Sequence, residues 1–276
     1  EEIYEAPGLN PIVKKSKIPL DLKRRDISIN AIAFEISQRK IYDLFEGIND
    51  IKSKKIKLLH KNSIRDDPSR LLRCAKYSSR LDFKITKSSL IQSQQMIKSW
   101  PWLHKYEKNR IIFPPAISIR IRMELSEISK YDNLSEIISK LNYWKVLALL
   151  NKDIKINHKF IRGLHWIKKL GGKEILYLIK DSKSHEILYE RFFINKKDRK
   201  ILSDYSFIKS KLEKDKEKYK YFSSSNWTAF IEDYNLEPET IKLLISESIV
   251  FWRELFRWLF IYRFIKSNKN GKTLKE

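Results

Sequence analysis

Chain breakers are scarce in this sequence, and their scarcity limits the fold more than any other feature. Six glycines and eight prolines are spread through 276 residues, too few for the many turns of an all-β protein. Between them run long stretches of Lys, Glu, Leu and Ile, several of which lose little freedom in a helix. The expected fold is mainly α. Asp67-Pro68 opens a helix that runs to about residue 80, because Asp caps orphan N–H groups and Pro is pre-set for the first turn. Further helices are predicted at about 86–99, 117–130, 134–149, 158–170, 173–181, 185–194, 196–218, 227–234 and 238–266. Gly171-Gly172 and Ser223–Ser225 are the clearest interruptions. Only residues 1–55 mix signals. Pro11 allows at most an edge strand over 9–13, Ser28 is placed to cap a short helix through 30–34, and residues 40–45 read as a strand closed by Gly47.

Charge comes next. Lys and Arg number 57 against 34 Asp and Glu, a net +23, which favours a polyanionic partner such as nucleic acid or an anionic surface. A lysine-biased genome is the alternative. The run at 209–220 (KSKLEKDKEKYK) alternates in sign and reads as a solvated helix face. The single Cys74 excludes a disulfide framework and a Cys-based zinc site, and suits a reducing, cytoplasmic setting. The histidines His60, His104, His158, His165 and His185 have no paired spacing, so metal ligation is not expected. Trp100 and Trp102 flank Pro101, either packing a loop or offering faces to RNA bases. The apolar stretch 249–265 carries Arg253, Glu254, Arg257 and Arg263, and is predicted as an amphipathic helix rather than a membrane span. A chain that opens on Glu1 and stops at NGKTLKE looks cut at both ends, so a piece of a longer protein is expected.

The chemistry concentrates between Leu22 and Leu81. Three clusters stand there in order: RRDISINA (Arg24, Arg25, Asp26, Asn30), DLFEGIND (Asp43, Gly47, Asp50) and DDPSRLLRCAKY (Asp66, Asp67, Arg70, Arg73, Lys76). Asp accepts hydrogen bonds and Arg donates them. Cytosine and adenine each present an amino donor beside a ring-nitrogen acceptor, so an Asp67/Arg70 pair one helical turn apart satisfies both. Guanine and uracil meet the pair with the wrong polarity, and each buried mismatch costs about 1–3 kcal/mol. Arg73 and Lys76 continue the series along about 13 Å of helix, comparable with an extended nucleoside triphosphate. The bland alternative is that Asp67 merely caps the helix and the cations form a solvated stripe.

The order and spacing of the clusters resemble those of the bacterial tRNA nucleotidyltransferase / poly(A) polymerase family, whose pattern reads roughly RRDFTxNA, D-x-F-x-G-x-x-D and EDPxRxLRxxRF. More faintly, Arg120–Leu125 resembles its Arg-x-x-x-Glu-Leu helix, Arg191-Phe192 and Arg257-Trp258-Leu259 suit its helical half, and the closing NGKTL resembles a late element. The resemblance implies the end of an α/β head domain over 1–55, a helical neck with a base-template helix over 56–130, and an RNA-binding body and start of tail over 131–276. It assigns Asp67 and Arg70 to the base and Arg25, Arg73 and Lys76 to the triphosphate. Arg24, Asp26, Asn30, Asp43 and Asp50 become ribose or motif support, and Arg120 with Glu124 a structural pair. Lys76 stands where the family has Arg, replacing a planar fork with a point charge; Ile27, Ser28 and Asp66 are milder departures.

The resemblance further implies CTP and ATP as substrates, a tRNA acceptor arm as partner, and Mg²⁺ held by an Asp-x-Asp pair. No Asp-x-Asp precedes Arg24, and Asp215 with Glu217 sits in the lysine-rich helix. The expectation is a tRNA 3′-end nucleotidyltransferase of which this chain alone holds no catalytic carboxylate or metal ligand, binds nucleotide weakly and does not catalyse. Poly(A) polymerase and a non-catalytic helical RNA-binding module are the alternatives.

Overall fold

The computed structural model describes residues 2–5, 8–99, 105–107, 110–112, 115–131, 134–151, 153–182, 185–247 and 249–265. In chain order the elements begin with β1 (Glu2–Ile3), β2 (Ile12–Val13), α1 (Ile18–Lys23), β3 (Ile32–Glu35), β4 (Lys40–Asp43), α2 (Gly47–Lys52) and β5 (Lys55–Ile56). There follow α3 (Ser63–Asp66), α4 (Arg70–Leu81), β6 (Lys84–Ile85), α5 (Lys87–Ser99), β7 (Lys105–Glu107), β8 (Arg110–Ile112), α6 (Pro115–Ser129) and α7 (Leu134–Tyr143). Then come α8 (His158–Lys169), α9 (Glu174–Ile179), α10 (His185–Phe192), α11 (Lys196–Lys214), α12 (Lys216–Tyr219), α13 (Ser224–Asp233), α14 (Pro238–Ser246) and α15 (Trp252–Phe260). The fold is mainly α, as the breaker pattern implies. Trp100, Trp102, His104 and the NGKTL stretch lie outside the described residues.

Two compact units divide the chain. One holds Glu1–Ile156 and Ser182–Ile194; the other holds Asn157–Asp181 and Asn195–Glu276.

In the first unit, α4 is the central element. Leu71, Leu72, Cys74 and Ala75 are fully buried on it, Ile117, Ile121 and Ile128 on α6, and Ile137, Ile138 and Leu141 on α7. These recur at helical spacing and give each helix one apolar stripe. The strands are short two-stranded pairs. β3 and β4 are antiparallel, with Ile32 opposite Asp43 and Glu35 opposite Lys40, while β5 and β6 are parallel. Instead of the expected helix through 30–34, a single 3-10 turn over Ser28–Asn30 leads into β3. Ser28 caps no helix, because its hydroxyl is committed to Asp50, and the alternation of Ile32 and Phe34 pairs across a hairpin instead.

In the second unit, Tyr219, Trp227, Phe230 and Phe251 build an aromatic core, with Tyr219–Phe230 centroids 5.3 Å apart and Trp227–Phe251 also 5.3 Å. Ser223 caps α13 in a reciprocal capping box with Asn226. The single helix expected over 238–266 is two helices. Phe251 takes a left-handed φ of 69° before α15 begins, and the buried Glu247 closes the end of α14. Leu255, Trp258 and Leu259 face inward on α15 while Arg253 and Arg257 stay exposed. No helix among the described residues is long and apolar enough to cross a membrane.

Glu247 accepts from the Tyr177 hydroxyl at 3.0 Å and pairs with Lys180 at 3.0 Å and Lys209 at 3.7 Å. So Lys209, expected in a solvated run, is half-buried. Burial pushes the Glu247 carboxyl up, but the ammonium groups of Lys180 and then Lys209 hold it below its ordinary 4.5. A depressed carboxylate stabilises the fold fully above its unfolded value, and the contribution is lost as pH falls through the folded one. Glu247→Gln is expected to lower stability by about 2 kcal/mol at pH 7, because the buried Lys180 loses one of its two carboxylate partners and keeps only Asp181. The gap to wild type should narrow steadily below about pH 4.5, read from urea midpoints at several pH values. A pH-independent gap would contradict the assignment.

Candidate functional site

Arg24, Arg25 and Asp26 follow α1, a helix started by Pro19 in its first turn. Arg24 donates through Nε to Asp21 at 2.8 Å and pairs with Glu2 on β1. Arg25 is exposed and donates to the Asn30 carbonyl at 3.1 Å. Asp26 is buried. One of its oxygens accepts from the Ile27 N–H at 2.9 Å and Asn30 Nδ2 at 3.2 Å; the other accepts from Arg73 Nη1 at 3.1 Å.

The second cluster supports the first from behind. Asp43 accepts from the N–H groups of Gly47 and Ile48 at 2.7 and 2.9 Å, satisfying two orphan donors at the start of α2. Asp50, buried, accepts from Ser28 Oγ at 2.6 Å. A Cβ on Gly47 would lie 2.5 Å from the Ser28 carbonyl, so only glycine lets the two clusters close up.

The third cluster departs from its expected geometry. α4 begins at Arg70, and Asp67 precedes it in extended conformation at φ −147°, ψ 95°. Asp67 and Arg70 are thus not on one helix face; a turn brings them to the same cavity. Asp67 Oδ1 accepts from the Ser69 N–H at 3.0 Å and the Ser69 hydroxyl at 2.6 Å, leaving Oδ2 facing Arg120 Nε at 3.5 Å. Arg70 donates to Ser63 Oγ at 3.1 Å and the Arg24 carbonyl at 3.2 Å. Arg73 donates to Glu124 at 2.7 and 2.9 Å as well as to Asp26, and Lys76 donates to Glu124 at 3.2 Å. Arg120 and Glu124 do not pair with each other, as the i,i+4 spacing suggested. Arg120 instead reaches Asp67 and the Gly8 carbonyl, at 2.7 Å to the latter, and Glu124 faces α4. Two cations on α4 outcompete one neighbour on α6.

A cavity of about 780 Å³ lies among these residues, lined by Arg24, Arg25, Asp26, Asn30, Asp67, Arg70, Arg73 and Arg120, with Glu2, Tyr4, Asn10, Pro11 and Tyr77. Lys76, Asp43 and Asp50 are not among its walls. Five guanidinium groups against three carboxylates make it suited to an anion. The Arg120 Nε is a buried donor with no hydrogen-bond acceptor. Burial lowers the pKa of Arg73, but Asp26 and Glu124 outweigh it and hold the charge firmly. Burial pushes the Tyr4 phenol up to about 12, so it stands in the wall as a neutral donor. Among the described residues no three His, Cys, Asp or Glu side chains are grouped to hold a metal ion. Glu2 and Asp26 are already engaged by arginines, so the described residues do not fit a Mg²⁺ site by themselves.

Residues 2–57 match the Poly A polymerase head domain. An A-adding tRNA nucleotidyltransferase of Aquifex aeolicus is 27% identical over 236 residues, covering 79% of this chain and 27% of the relative. One from Halalkalibacterium halodurans is 38% identical over 149 residues, covering 53% of this chain and 34% of the relative. The chain is thus similar to bacterial-type tRNA nucleotidyltransferases, with a Poly A polymerase head-domain match confined to its first 57 residues. It spans 27% and 34% of the length of these two relatives. The solved CCA-adding enzyme in its second apo form shares the fold, with a TM-score of 0.70 at 19% identity over 99% of this chain and 68% of that one.

Among the cavity residues, the sequence pattern did not point to Glu2, Tyr4, Asn10, Pro11 and Tyr77, and gave Arg120 and Glu124 only to each other. Glu124 had a usable signal: with Glu127 it is one of only two acids on α6, opposite an α4 that carries cations and no acid. Glu2 and Tyr4 had none, since a two-residue strand carries no periodicity.

Proposed function

We propose that the cavity binds the base, ribose and phosphates of CTP or ATP, and that the chain serves tRNA 3′-end nucleotidyl transfer. The supporting observation is the convergence of buried Asp67 with Arg24, Arg25, Arg70, Arg73 and Arg120 on one cavity. Asp67 Oδ2 accepts from the amino group of cytosine or adenine, and Arg70 donates to the neighbouring ring nitrogen. Its anchoring by Ser63 and the Arg24 carbonyl fixes that donor before the base arrives, which reduces the ordering cost of binding. Arg25 and Arg73 meet the phosphates, joined by Lys76 once Glu124 releases it; Asp26 and Asn30 stand near the ribose. Residues 1–55 act as head, 56–130 as neck and 131–276 as the RNA-binding body, in a cytoplasmic setting with the tRNA acceptor arm as partner. The relatives' names, A-adding tRNA nucleotidyltransferase, support adenylate transfer to tRNA. The head-domain match keeps poly(A) polymerase as the second reading.

Transfer chemistry needs Mg²⁺ on a carboxylate pair, to activate the primer hydroxyl and stabilise pyrophosphate. The 276 residues contain no Asp-x-Asp, so this polypeptide alone binds nucleotide without incorporating it. Equilibrium dialysis should show CTP and ATP bound about tenfold more tightly than GTP and UTP, with the preference lost in Arg70→Ala. Equal binding of all four by wild type would refute the base-template role. Incorporation of CTP or ATP into a tRNA lacking its 3′ end, by this polypeptide alone, would refute the inactive reading.

A further inference from the structure

The second unit carries a pocket that nucleotide binding at the first does not use. It has a volume of about 370 Å³ and is lined by Arg162 and Trp166 of α8, Ile245 of α14 and Trp252 of α15. Its size falls in the range of small-molecule sites. Ile245 is buried and makes an apolar floor; Trp166 is half-buried and Trp252 is 37% exposed. Two indoles open to solvent around one cavity are not explained by core packing, which the buried Leu164, Ile167, Leu255 and Trp258 supply.

The surroundings are cationic. α8 reads HKFIRGLHWIKK, with four Lys or Arg, two His and no acid. Arg162, His165 and Lys169 recur on its exposed face. Lys169 lies 5.9 Å from the Trp166 ring centroid and Arg253 lies 5.6 Å from that of Trp252, so each indole has a cation at hand. α15 adds a single acid, Glu254. Arg162 makes no hydrogen bond or ion pair among the described residues. An aliphatic ligand would use the walls but not the charge, and a purely electrostatic patch would use the charge but not the indoles. A nucleotide uses both, with its base on an aromatic face and its phosphate on a guanidinium.

We propose that this pocket takes one unpaired base of a single-stranded RNA, stacked on Trp166 and Trp252, with the flanking phosphates on Arg162 and Arg253. The site reads no sequence, since every base has a π-face; it distinguishes single-stranded RNA from a duplex whose bases are already stacked. The inference rests on the RNA-binding reading above and adds the place and the strandedness of one contact.

The test uses the full chain and a fluorescein-labelled single-stranded RNA of mixed sequence, with a duplex RNA, heparin and phosphatidylglycerol vesicles as further probes. Trp252→Ala and Trp166→Ala should each weaken single-stranded RNA binding about tenfold while leaving heparin binding unchanged. Trp252→Phe should retain most of the affinity, because it keeps a stacking face, and melting curves verify that all three variants are folded. Arg162→Gln should lower the salt dependence of RNA binding, which the Trp variants leave alone. Equal losses for RNA and heparin, no loss for RNA, or a loss confined to the vesicles would each overturn the proposal. If wild type does not bind RNA at all, the RNA-binding reading falls and the pocket assignment falls with it. If wild type binds and the Trp variants bind as well, only the pocket assignment falls.

Discussion

Glu124→Gln is expected to loosen the first unit while tightening its hold on a nucleoside triphosphate. In the free protein one carboxylate on α6 accepts from Arg73 at 2.7 Å and from Lys76 at 3.2 Å, so it does for both cations what a phosphate would do. Glutamine keeps the shape and one acceptor but removes the charge. Breaking a fully buried ion pair costs about 3–5 kcal/mol. Arg73 keeps 36% of its side chain in water, so about 2 kcal/mol is the better expectation after solvent screening. A triphosphate, by contrast, has to displace Glu124 from both cations and approach a negative charge. Removing that competitor should raise ATP and CTP affinity about tenfold, or about 1.4 kcal/mol. The two effects have opposite sign, so a melt without nucleotide and a melt at saturating ATP should converge between wild type and variant. Unchanged or weaker ATP binding by a folded Glu124→Gln would show that Arg73 and Lys76 do not touch phosphate.

How much of this was legible in advance depends on how far apart the partners lie in the chain. Asp43 holding Gly47 and Ile48 is a contact over four and five residues, and its spacing says so directly. The helix after Asp67-Pro68 and the inward Leu255, Trp258 and Leu259 follow from local propensity and 3.6-residue periodicity. Glu124 is different. Its partners Arg73 and Lys76 lie 51 and 48 residues away, and its own helix offers Arg120 at the favoured i,i+4 spacing. Which pair forms depends on packing of α6 against α4, which no local pattern encodes. The end of α14 before α15 was not legible either. The composition suits a helix, yet Glu247 closes α14 and Phe251 takes a left-handed φ before α15, which no local propensity announces. The cavity shows both cases at once. Its Arg and Asp walls stand in the motifs, while Glu2 and Tyr4 enter from a strand too short to announce itself.

The largest stability effect should come from the smallest substitution. Gly163 on α8 faces Tyr177 and α14 so closely that an added Cβ would meet the Tyr177 hydroxyl at 1.9 Å and the Ser246 carbonyl at 2.7 Å. Neither position is tolerable, and one of them is backbone. Overpacking a core costs about 1–3 kcal/mol and occasionally more. Here the displaced group also carries the hydrogen bond to Glu247 at 3.0 Å, so the Lys180–Glu247 pair loses part of its support. Gly163→Ala is therefore expected to destabilise by about 4 kcal/mol, whereas the helix propensity of alanine alone would predict a gain of about 1 kcal/mol. Pairing it with Tyr177→Phe separates the causes. Phenylalanine removes the hydroxyl clash but leaves the ring Cζ at 2.6 Å and the Ser246 carbonyl at 2.7 Å, so the double variant should recover less than half the loss and show coupling in a double-mutant cycle. Full recovery would mean that the tyrosine alone sets the helix spacing. A stabilised Gly163→Ala would mean that α8 and α14 stand further apart than this packing requires.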